Sequence, residues 1–204
     1  MRARGLFPAA LHLVYVCDEA GARDGARLDA LLASGVTCVW LRAPEATGRA
    51  LYEAAGGLLL RCRRLGAALL VGDRVDVALA VGADGVQLGA RAIPPRAVRA
   101  WFEGWMGVSC HTAEEARAAE EAGADHVTLS PVFGVPLKGT PLGVAGLATL
   151  ARGVRAPVVA LGGIGPESVG GVRAVGVAGV AAIRSLRDAP DPAAAAAALA
   201  VTAP

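Results

Sequence analysis

The residues of this chain with chemistry to offer recur at the ends of apolar runs. Arg42, Asp73, Ser109 with His111, Ser130, Gly162 with Gly163, and Arg184 with Ser185 each follow a short stretch rich in Val, Leu, Ile and Ala. Such a set marks the place to look for chemistry, with an anion contact among the readings. Guanidinium and ammonium groups neutralise charge, hydroxyls donate hydrogen bonds, and an imidazole moves protons near neutral pH. Lys138 is the sole lysine among 20 basic residues. It reads either as a point-charge contact to an anion or as chance. His111 is either a general base or acid, or a structural hydrogen-bonder beside a helix cap. His12 and His126 fall at the starts of apolar runs, away from the end where the polar residues gather.

Eight runs carry this pattern: 11–17, 36–41, 67–71, 85–88, 106–108, 126–129, 157–161 and 178–183. Short apolar runs bounded by turn residues predict strands buried on both faces. Helical spacing predicts helices over 24–34, 47–65, 94–102, 112–122, 143–153, 166–174 and 193–199. Thr112 is a good N-cap, and Glu115 completes the capping-box pattern. A short echo, GADGV at 82–86, GADHV at 123–127 and GVAGV at 176–180, marks a repeated helix-to-strand turn. Eight strand–helix alternations predict one (β/α)8 TIM barrel over residues 1–204, with its site at the C-terminal ends of the strands.

Glycines follow the seventh run (Gly162, Gly163), and Ile183, Arg184 and Ser185 end the eighth. In barrels of this kind a phosphate often binds in these two loops, where glycine lets the backbone approach an anion. Tight turns alone are the alternative reading. The expected partner is a small-molecule phosphate ester. The net charge of +2 is scattered, which points away from nucleic acid. No apolar run reaches ~18 residues, so no membrane span is expected. The opening MRARGLFPAALHLVYVC is read as the lead-in to the first strand. Four cysteines without CxxC spacing are expected to be small buried hydrophobes in a reducing cytoplasm. A homo-oligomer is left open.

The stretches DRVDVALAVGADGVQLG, GVSCHTAEEA, ADHVTLSPVF and PVVALGGI resemble the thiamine-phosphate synthase/TenI superfamily over nearly the whole chain. The resemblance implies a phosphate-binding barrel of thiamine biosynthesis with two branches. The synthase joins a pyrimidine pyrophosphate to a thiazole phosphate and releases pyrophosphate with Mg2+. The TenI branch binds the thiazole phosphate, and some members shift a proton on it.

At the pyrophosphate end the chain departs from the synthase pattern. Gln-Leu-Arg-x-Lys becomes Trp40-Leu41-Arg42-Ala43-Pro44, and Asn-Asp becomes Gly72-Asp73. His-x-Gly-Gln-x-Asp becomes Gln87-Leu88-Gly89-Ala90-Arg91-Ala92, without the carboxylate that helps hold the metal. Thr-x-Thr-Lys keeps only Lys138. Each lost donor is worth about 2.7–4 kcal/mol at an oxyanion. The leading expectation is therefore a TenI-like binder of thiazole phosphate, with possible tautomerisation and no cofactor. Its proton shuttle would be His111, because Ser130 stands where tautomerising members carry histidine. Gln87 and Ser130 are expected in the substrate pocket. The first alternative is a synthase carried by Arg42, Ser109 and Lys138, with Asp73 holding Mg2+. The second is a non-catalytic regulatory phosphate binder. The 134–143 loop has the length and glycines of a mobile lid.

Overall fold

The computed structural model describes residues 7–135 and 139–200. Lys138 lies outside the described residues, as does the middle of the expected lid. Eight parallel strands close into a barrel in sequence order. They are β1 (Leu13–Cys17), β2 (Cys38–Leu41), β3 (Ala68–Gly72), β4 (Gly85–Leu88), β5 (Trp105–Cys110), β6 (His126–Leu129), β7 (Val158–Leu161) and β8 (Gly179–Ala182). Around them run α1 (Glu19–Arg23), α2 (Gly25–Ala33), α3 (Gly48–Leu65), α4 (Val75–Val81), α5 (Pro95–Arg99), α6 (Ala113–Glu121), α7 (Gly143–Arg152), α8 (Val169–Arg173), α9 (Arg184–Arg187) and α10 (Pro192–Ala200).

Alternation along each strand divides the core in two. Leu13, Tyr15, Val39, Leu41, Leu69, Val71, Met106 and Leu129 pack outward with the helices. Val14, Val16, Cys38, Trp40, Leu70, Trp105, Val159 and Ala181 form a second cluster, which fills the barrel interior. Among the described residues, one sector of the interior is polar, where Gln87, Thr128 and His126 lie buried on β4 and β6.

Several boundaries differ from expectation. β1 begins at Leu13 because residues Ala9–Leu11 form a 3-10 turn. β5 extends to Cys110 and so takes in Ser109. The helix expected over 166–174 shrinks to Val169–Arg173, because Ser168 Oγ accepts the Gly165 N–H and holds the preceding residues in a turn. Periodicity found no separate helix at α1, α4 or α9, each under eight residues and too short for a helical period to repeat. At α6, Thr112 Oγ1 accepts the Glu115 N–H at 3.2 Å as expected. The Glu115 carboxylate reaches one residue further out and accepts the His111 N–H at 2.6 Å.

The echoed turn has a physical basis in two of its three copies. Asp84 Oδ2 accepts the Leu69 N–H at 2.8 Å, and Arg63 donates to the same carboxylate. Asp125 Oδ2 accepts the Met106 N–H at 2.7 Å and pairs with Arg99. Each aspartate thus ties a helix-to-strand turn to a neighbouring strand. Asp84→Ala is expected to lower stability by about 2–3 kcal/mol in urea unfolding, since a buried backbone donor and a charged pair lose their partner together.

His12 and Arg173 tie the barrel floor to the last helix. Arg173 Nη2 donates to the carbonyls of His12 (3.1 Å) and Leu199 (2.8 Å), and His12 Nε2 donates to Ala200 O at 2.8 Å. The four cysteines are free and buried. Burial pushes the thiols of Cys17, Cys62 and Cys110 up to about 12, which keeps them unreactive. No described helix is long and apolar enough to cross a membrane.

Candidate functional site

A cavity of about 750 Å³ opens at the C-terminal ends of the strands. Val16, Trp40, Leu161 and Ala181, all members of or packed on the interior cluster, line its depth. Of the residues expected to do chemistry, Arg42, Asp73, Ser109, His111, Ser130, Gly162, Gly163, Ile183, Arg184 and Ser185 line this one cavity. Strand order sets their relative placement. Arg42, Asp73 and Ser109 come from β2, β3 and β5, while the glycine and Ile-Arg-Ser segments leave β7 and β8 across the mouth.

Asp73 is the most firmly placed of them. Its φ of +58° lies in the left-handed region, which an aspartate tolerates better than most side chains. Its N–H donates to Gln87 O at 3.0 Å, and its Oδ1 accepts the Gly89 N–H at 2.7 Å. The carboxylate is thereby fixed over the β3–β4 edge. Asp76, one helical turn on, faces outward and pairs with Arg74, which holds its carboxyl below the usual range.

Gln87 was expected in the substrate pocket but is not on the cavity wall. It is 1% exposed and sits one layer below Ser109, paired in register with Gly107. Its Nε2 donates to Ser109 Oγ at 3.1 Å. Its Oε1 receives the His126 Nε2–H at 3.0 Å. His126 starts β6, as the sequence implied, yet its ring points into the barrel and reaches toward the site from beneath. A helical or strand position alone does not reveal that reach.

His111 Nδ1 lies 2.6 Å from Ser130 O. A carbonyl only accepts, so Nδ1 carries a proton in this contact. The imidazole therefore braces the β5 exit against the β6 exit. Ser130 contributes its carbonyl to that brace.

At the opposite side, Gly162 and Gly163 have φ of +112° and +66°. A Cβ on Gly162 would stand 2.8 Å from Pro131 Cα, and one on Gly163 2.8 Å from Phe133 Cβ. The loop thus packs too closely on the β6 exit for any side chain. The expected phosphate ligand Ser185 donates its hydroxyl proton to Ile164 O at 2.9 Å, so it staples the two loops together. α9 has four residues, too few to develop a full helix dipole.

Several wall residues, Arg91, Glu167, Asp188 and Trp40 among them, were not expected there. Arg91 follows β4 and lines the cavity, although its motif was read only for a missing carboxylate. With Arg42 and Arg184 it puts three guanidinium groups on the wall. Among the described residues none of the three forms a salt bridge. Glu167 also lines the cavity. Trp40 is 6% exposed, and its Nε1 has no hydrogen-bond partner among the described residues.

The described residues hold no group of three His, Cys, Asp or Glu able to cage a metal ion. The donor chemistry still fits one mode for Mg2+, which is commonly held by one or two carboxylates together with substrate phosphates and water. Asp73 supplies one such carboxylate, and its Oδ2 has no hydrogen-bond partner among the described residues.

Comparison with known proteins bears on what this cavity serves. A family model described as thiamine monophosphate synthase matches residues 11–186. A "Thiamine-phosphate synthase" of Syntrophomonas wolfei is 42% identical over 140 residues, 66% of this chain and 67% of that protein. One of Herpetosiphon aurantiacus is 39% identical over 168 residues, 79% of this chain and 82% of its own length. The solved "Thiamine phosphate pyrophosphorylase from Pyrococcus furiosus" superposes with a TM-score of 0.86 at 35% identity, covering 93% of this chain and 94% of that one. These relatives overturn the TenI-like expectation in favour of the synthase alternative. Arg91, which follows β4, stands on the same wall as the positions that lack the synthase pattern's donors. By its sequence over most of its length and by its barrel, this chain belongs to the thiamine monophosphate synthase family.

Proposed function

We propose that the protein is a thiamine-phosphate synthase, a transferase that joins a pyrimidine pyrophosphate to a thiazole phosphate and releases pyrophosphate. The observation that carries this reading is the shape of the cavity. One continuous space runs from a charged rim at β2–β5 to a glycine-walled rim at β7–β8. Two phosphate-bearing substrates have room at its two ends, with their reacting rings between them over Trp40. A volume of about 750 Å³ falls within the usual range for a small-molecule site.

In this assignment Gly162, Gly163, Ile183 and Arg184 receive the thiazole phosphate, and Ser185 keeps their two loops in register. Arg42, Arg91 and Ser109 face the pyrophosphate. Asp73 would hold Mg2+, which when bound would supply positive charge against the leaving group. As the bond to pyrophosphate breaks, negative charge grows on the departing oxygen. The Arg42 and Arg91 guanidinium groups oppose that charge, and the Ser109 hydroxyl donates to it. His111 holds the β5 and β6 exits in place as the ring transfers. Lys138, which lies outside the described residues, is the further cation that the family resemblance assigns to this reaction.

Purified protein incubated with pyrimidine pyrophosphate, thiazole phosphate and Mg2+ is expected to form thiamine phosphate and pyrophosphate in equal amounts. Folded protein that yields neither product would overturn the assignment.

A further inference from the structure

The polar sector of the barrel interior forms a directed chain of hydrogen bonds. It runs from His126 Nε2 to Gln87 Oε1 at 3.0 Å, then from Gln87 Nε2 to Ser109 Oγ at 3.1 Å. An amide carries its donor and its acceptor on different atoms, so the side chain can face Ser109 in either of two ways. Facing with its oxygen, it would take the Ser109 proton. Facing with its nitrogen, it fills a lone pair on Oγ and leaves that proton free. His126 decides between them. Its Nε2 is a donor when the ring is neutral with Nδ1 unprotonated, and Nδ1 has no partner among the described residues. A lone pair without a partner is cheaper to bury than an N–H without one.

The surroundings hold this arrangement in place. Gly107 lies between Gln87 and His126 on the neighbouring strand, paired in register with both. A Cβ there would stand 2.2 Å from Gln87 Oε1 and 2.2 Å from His126 Nε2. Glycine at 107 is thus what gives the two side chains room to meet. Phe7 packs on the other side of the imidazole, with ring centroids 6.2 Å apart, and on Trp105 at 5.2 Å. Both His126 and Gln87 are 1% exposed, so no solvent competes for the chain.

We propose that Gln87 and His126 are positioning residues that set the direction of the Ser109 hydrogen bond, so that Ser109 offers its proton to the departing pyrophosphate oxygen. The proposal rests on the synthase reading and adds to it a reason for two buried polar groups that touch no substrate. Burial lowers the His126 pKa to about 4, which keeps the ring neutral through the physiological range and the direction constant.

Gln87→Glu is nearly isosteric and reverses the polarity at Ser109, because a carboxylate accepts where the amide nitrogen donated. It is expected to lower kcat about 10²–10³-fold, as much as Ser109→Ala does, with KM for thiazole phosphate unchanged. Gln87→Met removes the donor without adding charge and is expected to lower kcat about tenfold. In the Ser109→Ala background neither change should lower kcat further, because the proton they direct is gone. Binding of inorganic pyrophosphate, measured by calorimetry, is expected to weaken about tenfold in Gln87→Glu. That readout needs no turnover, so it tests the relay even where the synthase assay of the wild type fails. Should Gln87→Glu not fold, Gln87→Met and its double mutant with Ser109→Ala decide the matter. Wild-type kcat and pyrophosphate affinity in the folded Gln87 variants, or losses that add to that of Ser109→Ala, would overturn the proposal.

Discussion

Asp73→Asn is expected to lower kcat by about 10²–10³-fold and to flatten its dependence on Mg2+. Asparagine suits this test because it tolerates the left-handed backbone at φ +58° and keeps an oxygen for the Gly89 N–H at 2.7 Å. The fold and the β3–β4 edge should therefore survive, and only the charge is removed. Losing one electrostatic partner of a leaving group costs about 2.7–4 kcal/mol of transition-state stabilisation. Here there is less in reserve than in a site with two carboxylates, since Ala92 offers no oxygen on its side chain. Steady-state rates at graded Mg2+ concentrations would check it. A variant with wild-type kcat and an unchanged Mg2+ response would remove Asp73 from the metal's surroundings.

The second large effect belongs to the opposite rim. Gly162→Ala is expected to raise KM for thiazole phosphate about 10–100-fold while KM for pyrimidine pyrophosphate stays within about twofold. The range corresponds to losing one charge-assisted hydrogen bond, worth about 1.5–3 kcal/mol. The new methyl meets Pro131 Cα at 2.8 Å, which is backbone and yields little, and φ of +112° is strained for alanine. The β7 exit must then shift away from β6, and the phosphate loses its fitted wall. Varying each substrate in turn separates the two KM values. Equal changes in both would show that the two rims are not separate subsites.

The barrel was legible in the sequence because burying a strand on both faces leaves a continuous apolar run, and eight such runs survive with turn residues between them. The face of the site was legible for the same reason, since the polar exits mark strand ends. What escaped was depth. Gln87 and His126 sit on strands whose letters show a polar residue in an apolar run, and nothing in one dimension says that they meet across Gly107. The branch within the family was not legible, because a motif compares only its own positions: Ala92 carries no carboxylate, while Arg91 beside it lies on the cavity wall after β4. Ser185 shows the converse, a residue expected on the phosphate whose hydroxyl proton instead fastens two loops.

The indole at the bottom of the cavity also gives this protein an optical signal of its own. Of its three tryptophans, Trp101 is 51% exposed and Trp105 is buried at the far end of the barrel against Phe7. Trp40 alone lines the cavity, with a dipolar N–H that has no partner among the described residues. A bound ring or phosphate changes the polarity around that chromophore first. Its emission is therefore expected to change on binding, without a label and before any bond is made.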